Sequence, residues 1–350
     1  MSTEIGTLKA SLLKELNEEL DAKLSPSKSS AVKQFAHAYY GAAAESDLEA
    51  WRLDDLYGAT LESWQFIQTY SGDAPAVRVF NPRYEESGWQ STHTFVEVLQ
   101  KDKPFLVDSL RMELNRRNLA IHAIHNTVLT TTRDKDGKLK KIVEPNSKAS
   151  DKGRESLISV EIDRHTDKAQ LKDLKNTLEE ILNEVVSVVD DFPAMVERCE
   201  GAIKQYNGKI AKVDATELKE TQEFLTWLKE HFTFLGYDEY KIKKSGGKTE
   251  LALVENSQLG LLKASDEYCK NQLFHNISED VSNDEKNIVT FSKATARSRI
   301  HRPSHPDYIS VKTFDKAGNW VGEIRFLGLY TSAVYNKSSS LIPIVRRKVD

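Results

Sequence analysis

Residues 92–131 read THTFVEVLQKDKPFLVDSLRMELNRRNLAIHAIHNTVLTT, and the changes of period within them decide the fold. Thr92 to Leu99 is a β run. Asp102-Lys103-Pro104 then opens a helix from about Phe105 to Arg117, because Leu106, Leu110 and Leu114 recur at a spacing of four. Arg116 and Arg117 fall in its last turn, where positive charge complements the helix dipole. Ala120 to Thr131 returns as a strand.

Working outward, Ala76 to Phe80 is a short β run, and Asn81 to Gln90 between the two runs is turn-rich. On the other side, Asp134-Lys135-Asp136-Gly137 is a hairpin turn, since Asp-Gly readily takes positive φ. Ile158, Val160 and Ile162 alternate with Ser159, Glu161 and Asp163, which predicts one buried face and one wet face. Leu171, Leu174, Leu178, Ile181, Leu182, Val185 and Val189 keep a helical period over 168–189. Phe192-Pro193 marks the end of that helix or a kink, and helical patterning continues to about Gln205. The order strand, strand, helix, strand, strand, helix is a cyclic shift of the ferredoxin-like βαββαβ pattern. No strand follows residue 189, so Val77 to Phe80 is expected to fill the vacant edge beside Phe95 to Val98, antiparallel. Helices 105–117 and 168–189 are expected to cover one face.

The first 72 residues read as helical. Leu8, Leu12, Leu13, Leu16 and Leu20 share a helix face, and Ser25-Pro26-Ser27 interrupts the helix. Further helices are expected over Ala31–Ala44 and Leu53–Tyr70. Beyond a helix at Thr216–His231 the chain turns β-rich again, with a hairpin turn at Asp315 to Asn319. The expected organisation is α+β: a helical segment (1–72), a cyclically shifted ferredoxin-like antiparallel sheet domain (73–190), a helical connector (191–231) and a second mixed α+β sheet domain (232–350). The last residues, Val345 to Asp350, carry no cap or polar tail, so this domain is read as truncated on its C-terminal side.

Composition narrows the function. Lys plus Arg is 49 against 53 for Asp plus Glu, a balance that argues against nucleic acid as a partner. No apolar run reaches the roughly 20 residues of a membrane helix. The first twenty residues carry no apolar block of a signal-peptide kind, so secretion is not expected, and the low cysteine count leads us to expect a reducing cytoplasm. Cys199 and Cys269 are the two cysteines, too few for a disulfide framework, and neither has a partner pattern for nucleophilic catalysis. No Gly-x-Gly-x-x-Gly follows a strand, and Gly246-Gly247 reads as a polar hairpin, so no catalytic, cofactor or metal residue is assigned.

Two candidate sites stand beside plainer readings. Asp102, Pro104, Phe105 and Leu106 form a candidate effector loop, with the following helix offering its N–H groups to a carboxylate. The alternative is a helix cap, with Asp102 near the start and Pro104 in the first turn. Arg297, Arg299, His301, Arg302 and His305 form a basic cluster stiffened by Pro303 and Pro306. It could hold a phosphate, a nucleotide or the acidic rim of another domain. A solvated loop or an intersubunit salt bridge is the plainer reading, and an internal interface is expected over a small-molecule site. His122 and His125 are three apart on a strand and point to opposite faces, which disfavours a metal site with His93.

Several long stretches carry a resemblance. The loop DKPFLV (102–107), the helix after it and Leu119-Ala120-Ile121 resemble the first half of an ACT domain, whose loop usually reads Asp-x-Pro-Gly. Phe105 stands where that glycine would be. FAHAYYGAAAESDLEAWRLDDLYGATLESW (35–64), PFLVDSLRMELNRRNLAIHAI (104–124), ESLISVEIDR (155–164), EFLTWLKEHFTFLGYDEY (223–240) and IHRPSHPDYISVKTFDKAGNWVGEIRFLGLYTSAVY (300–335) together resemble the amino-terminal region of the large bacterial NAD-specific glutamate dehydrogenases. The resemblance implies a non-catalytic regulatory or assembly region of an oxidoreductase that oxidises L-glutamate to 2-oxoglutarate and ammonium. NAD would be the cofactor of the parent enzyme and not of this segment. The implied partners are its own catalytic domain, other subunits of a homo-oligomer and an amino-acid effector. The alternative is a stand-alone ACT-like amino-acid-sensing or protein-interaction module.

Overall fold

The structure, a computed structural model, describes residues 2–41, 43–48, 51–143, 153–245, 248–263, 287–336, 338 and 341–346. Cys269, the Gly246-Gly247 pair and the last four residues of the chain lie outside them. The chain divides into two compact units, Met1–Asn183 and Glu184–Asp350.

The first unit begins with α1 (Ser2–Lys23), α2 (Pro26–Gly41), α3 (Glu45–Leu48) and α4 (Leu53–Phe66). Pro26 starts α2 rather than merely ending α1, because the first helical position needs no N–H donor. The second helix therefore begins five residues before the expected Ala31. Then follow β1 (Ala76–Phe80), α5 (Tyr84–Ser87), β2 (Thr94–Lys101), α6 (Leu106–Arg116), β3 (Ile121–Arg133), β4 (Leu139–Val143), β5 (Arg154–Ile162) and the start of α7 (Lys168–Gln205). The sheet order is β1-β2-β5-β3-β4, with every pair antiparallel. Val77 lies opposite Val98 and Phe80 opposite Phe95, so β1 takes the edge that the last strand of a ferredoxin-like sheet normally fills. The expected cyclic shift is what the structure has. β4 adds a further strand at the opposite edge.

One expectation fails on this sheet. Val96, Val98, Ile158, Val160 and Ile162 form a buried face, and α6 and α7 contribute the buried stripes Leu106, Leu110, Leu114 and Leu174, Leu178, Ile181, Leu182. Asp163, just past the strand, is exposed as expected, yet Ser159 and Glu161 are not wet. Glu97, Ser159 and Glu161 are only 2%, 3% and 8% exposed. Leu99, Leu129 and Leu157 on that face share a core with Leu16, Leu20, Phe35, Tyr39 and Leu56 of the N-terminal helices. The helical segment thus covers the second face, and the polar side chains beneath it are satisfied internally. Ser63 Oγ donates to Glu97 Oε1 at 2.5 Å, and Arg78 Nε donates to Glu97 Oε2 at 2.7 Å. Arg116 and Arg117 also do more than face a dipole. Both bind Glu113, and Arg117 reaches Asp173 at 2.6 Å and Thr177 at 2.8 Å on α7.

In the second unit α7 runs unbroken through Pro193 to Gln205, so the proline neither ends the helix nor divides it into two elements. A proline in a helix interior costs about 3 kcal/mol. Burial of Met195, Cys199, Ala202 and Tyr206 on one stripe beyond it offsets that cost. There follow α8 (Ala215–His231), β6 (Phe232–Ser245), β7 (Lys248–Leu253), β8 (Leu259–Gly260), β9 (Val289–Lys293), β10 (Asp307–Phe314) and β11 (Trp320–Tyr330). Their order is β7-β6-β11-β10-β9, with β8 paired to β6, and every pair is antiparallel. Phe224, Phe232, Phe234, Ile309, Val311 and Phe326 fill one face.

The other face of this second sheet holds a buried acid. Asp238 is 4% exposed and lies across the ladder from Arg325. Tyr240 donates to its Oδ2 at 3.0 Å, while Oδ1 has no hydrogen-bond partner among the described residues. Burial pushes its carboxyl up to about 6, and Arg325 offsets this only in part. A folded-state value above the unfolded one means that the folded protein binds this proton more tightly. The contribution is fully present below about pH 4 and is lost as pH rises through about 6. Asp238→Asn, which cannot ionise, should therefore stabilise the chain by ~2–3 kcal/mol at pH 7.5 and by almost nothing at pH 4. Denaturant titrations at the two pH values check this, and an equal effect at both would refute it.

Candidate functional site

At one end of the first sheet four loops meet around a cavity of about 670 Å³, within the usual range of small-molecule sites. The Asp102 loop forms one wall. Its amide donates to Arg154 O at 3.0 Å. Its carboxylate accepts from Ser156 Oγ at 2.8 Å and Arg154 Nη2 at 3.0 Å. Asp102 thus staples the β2–α6 loop to β5 and does not cap the helix. The N-cap position belongs to Phe105, which offers no side-chain cap bond and sits at φ 73°. That is the left-handed region that glycine favours, so the phenylalanine occupies a glycine-like backbone position with about 1–2 kcal/mol of strain. Among the four residues of the candidate effector loop, Asp102 lines the cavity. Pro104 is exposed, Phe105 is half-buried, and Leu106 is buried in the core.

The remaining walls come from turns far apart in sequence. Thr69 and Lys138 form an antiparallel bridge, and Tyr70 N donates to Gly137 O at 2.9 Å. Gly137 is required twice, for φ 75° and because a Cβ would stand 2.5 Å from Tyr70 O. Arg133 forms a two-point bridge to Glu155 at 2.7 Å for each contact and donates to Gly137 O at 2.9 Å. Asp134 is held below the usual carboxylate range by Lys140 first, then by the Lys138 and Asp136 amides. In the sequence Tyr70 reads as a helix end, Thr131 as a strand end and residues 134–137 as a hairpin turn, and nothing singles out 153–155. No local signal shows that they converge with Asp102.

The second unit places the basic cluster differently from a free basic patch. Arg299 is ion-paired with Glu184, and Arg302 donates to the Tyr330 carbonyl. His305 Nδ1 lies 3.1 Å from Ala294 O, and His301 sits at φ 67°. Arg299 and Arg302 thus organise their own unit. Arg297 also has a partner. Cys199 is buried, and burial pushes its thiol up to about 12, far from a reactive thiolate.

The histidines of the first sheet are split by a bulge. His122 stands where the register shifts between Ile121 and Ala123 and stacks on His93 with ring centroids 4.2 Å apart. His125 instead faces Asp47, 3.9 Å away. Among the described residues no group of three or more His, Cys, Asp or Glu is placed to hold a metal ion. Among the described residues both sheets are antiparallel and hold no parallel strand–turn–helix unit of the kind that aims a helix N-terminus at a pyrophosphate. Among the described residues no helix is long and apolar enough to cross a membrane.

Comparison with known proteins adds identity to this geometry. The family model of the glutamate dehydrogenase ACT1 domain matches residues 35–178, which hold the first sheet and the cavity. The chain is 44% identical over 344 residues to the NAD-specific glutamate dehydrogenase of Halomonas elongata, covering 97% of this chain and 21% of that protein. It is 40% identical over 326 residues to the NAD-specific glutamate dehydrogenase of Pseudomonas aeruginosa, covering 91% and 20%. The chain spans about a fifth of the length of the curated relatives it matches.

Proposed function

We propose, for a chain that belongs to the NAD-specific glutamate dehydrogenase family as its N-terminal, ACT1-containing region, that it regulates or assembles a larger enzyme and performs no chemistry itself. That larger enzyme would oxidise L-glutamate to 2-oxoglutarate and ammonium with NAD, in the cytoplasm, with NAD held by residues outside this chain. The observation that carries the reading is the coincidence of the ACT1 match with a sheet whose Asp102 loop walls a ligand-sized cavity. An effector there would act only through unequal affinity for two arrangements of the assembly. Its own catalytic domain and other copies in a homo-oligomer are the surfaces it would act upon. The Arg297–Arg302 segment is the candidate contact.

The purified 350-residue chain is expected to reduce no NAD with glutamate. Reduction that scales with chain concentration would overturn the non-catalytic assignment. In the longer enzyme, Arg154→Ala removes the guanidinium from the Asp102 staple and leaves the bonds from Ser156 and to the backbone carbonyl of residue 154. It should change the response to effectors severalfold while the maximal rate without effector stays as it was. A loss of maximal rate with no effector dependence would instead place this region in the catalytic machinery.

A further inference from the structure

The charges around the Asp102 cavity are unequally committed. Each of its acids is already answered. Asp102 is bound by Arg154 and Ser156, Glu155 by Arg133, and Asp134 by Lys140 and two backbone amides. Two of its bases are not. Lys101 and Lys135 line the cavity, and neither has an ion-pair partner among the described residues. The cavity therefore presents uncommitted positive charge and no uncommitted carboxylate.

The backbone adds to this bias. Gly72 sits at φ 82°, and Lys101 crosses its turn: Cε is 3.4 Å and Nζ 3.8 Å from where a Cβ on Gly72 would stand. The lysine side chain thus lies within van der Waals reach of the turn. Among the described residues the N–H groups of Ser71 and Gly72 donate to no backbone or side-chain acceptor. An ammonium beside two spare amides is a recurrent way to hold an oxyanion.

We propose that this cavity is a subsite for a small polyanion, bearing carboxylate or phosphate oxygens and no ammonium group. Its physiological role rests on the effector-pocket reading above, but its chemistry does not. A zwitterionic amino acid fits poorly, because its ammonium would find every lining carboxylate already neutralised.

Calorimetric titration of the 350-residue chain at constant ionic strength tests this, with sodium pyrophosphate, malonate and glutamate as probes and chloride as the blank. Saturable binding of pyrophosphate, malonate or both is expected, with glutamate at least tenfold weaker. Pyrophosphate alone would identify a phosphate source, and malonate alone a carboxylate source. The double variant Lys101→Gln, Lys135→Gln should weaken Kd at least tenfold. Both lysines are exposed, so its unliganded melting temperature should match that of the parent chain. Heats no different from chloride, or binding undiminished in a folded double variant, would overturn the proposal. Tightest binding by glutamate would overturn the polyanion class and leave an effector pocket standing. Polyanion binding without any kinetic effect in the longer enzyme would overturn the regulatory reading alone.

Discussion

Arg78→Met is expected to destabilise the first unit by about 3–5 kcal/mol, the cost of leaving a buried carboxylate without its counter-charge. Glu97 sits under the N-terminal helices at 2% exposure. Arg78 reaches it from the edge strand β1 and also contacts Glu62 at 3.3 Å, with its guanidinium 4.3 Å from the Phe80 ring centroid and 4.7 Å from that of Phe66. Methionine keeps most of the stem but supplies no charge. Ser63 would remain as a single donor to Glu97. The second substitution Glu97→Gln, made in the Arg78→Met background, should recover part of the loss because it removes the orphaned charge. A double-mutant cycle by denaturant unfolding measures the coupling, expected at about 1–3 kcal/mol for groups in direct contact. A coupling near zero would show that Glu97 draws its stability from elsewhere.

Trp89→Ala should cost a similar ~3–5 kcal/mol, the range for emptying an aromatic site in a packed core. Trp89 is 1% exposed, with its ring centroid 5.1 Å from that of Phe95 and 5.7 Å from that of Trp51. Its indole N–H donates to Glu62 Oε2 at 2.5 Å. Gly58 on α4 makes room for it, since a Cβ there would stand 2.5 Å from Trp89 Cβ. Trp89→Phe separates packing from polarity. It should retain most of the burial and lose about 1 kcal/mol for the hydrogen bond, plus a smaller packing defect. If Trp89→Ala cost less than about 1 kcal/mol, the site would have to refill by collapse of its neighbours.

Both residues show what a linear reading misses. Trp89 falls in the stretch 81–90 that reads as turns, yet it anchors the aromatic core between α4 and the sheet. Ser159 and Glu161 read as solvent-facing because alternation reports only which residues share a face. It does not report what lies against that face. The N-terminal helices bring their own apolar stripe and the polar partner Ser63, and so convert an apparently wet surface into a second buried layer.

Features whose physics is local were determined by the sequence alone. The leucine spacing defines α6, and the stripe of residues 168–189 defines the first half of α7. The hairpin at Asp134 to Gly137 follows from positive φ. Even the edge position of Val77 to Phe80 follows, because the vacant edge needs one short strand and this β run lies just before the strand it pairs with. Tertiary structure alone decided the rest. Asp102 became a staple to β5 instead of a cap, because Arg154 and Ser156 stand within reach only after β2 and β5 pair. α7 passes Pro193 because burial beyond it outweighs one lost backbone bond. The cavity exists because Tyr70–Gly72, Asp134–Gly137 and Gly153–Glu155 meet at one sheet end. Loop closure brings together residues distant along the chain, and no periodicity records which loops will meet.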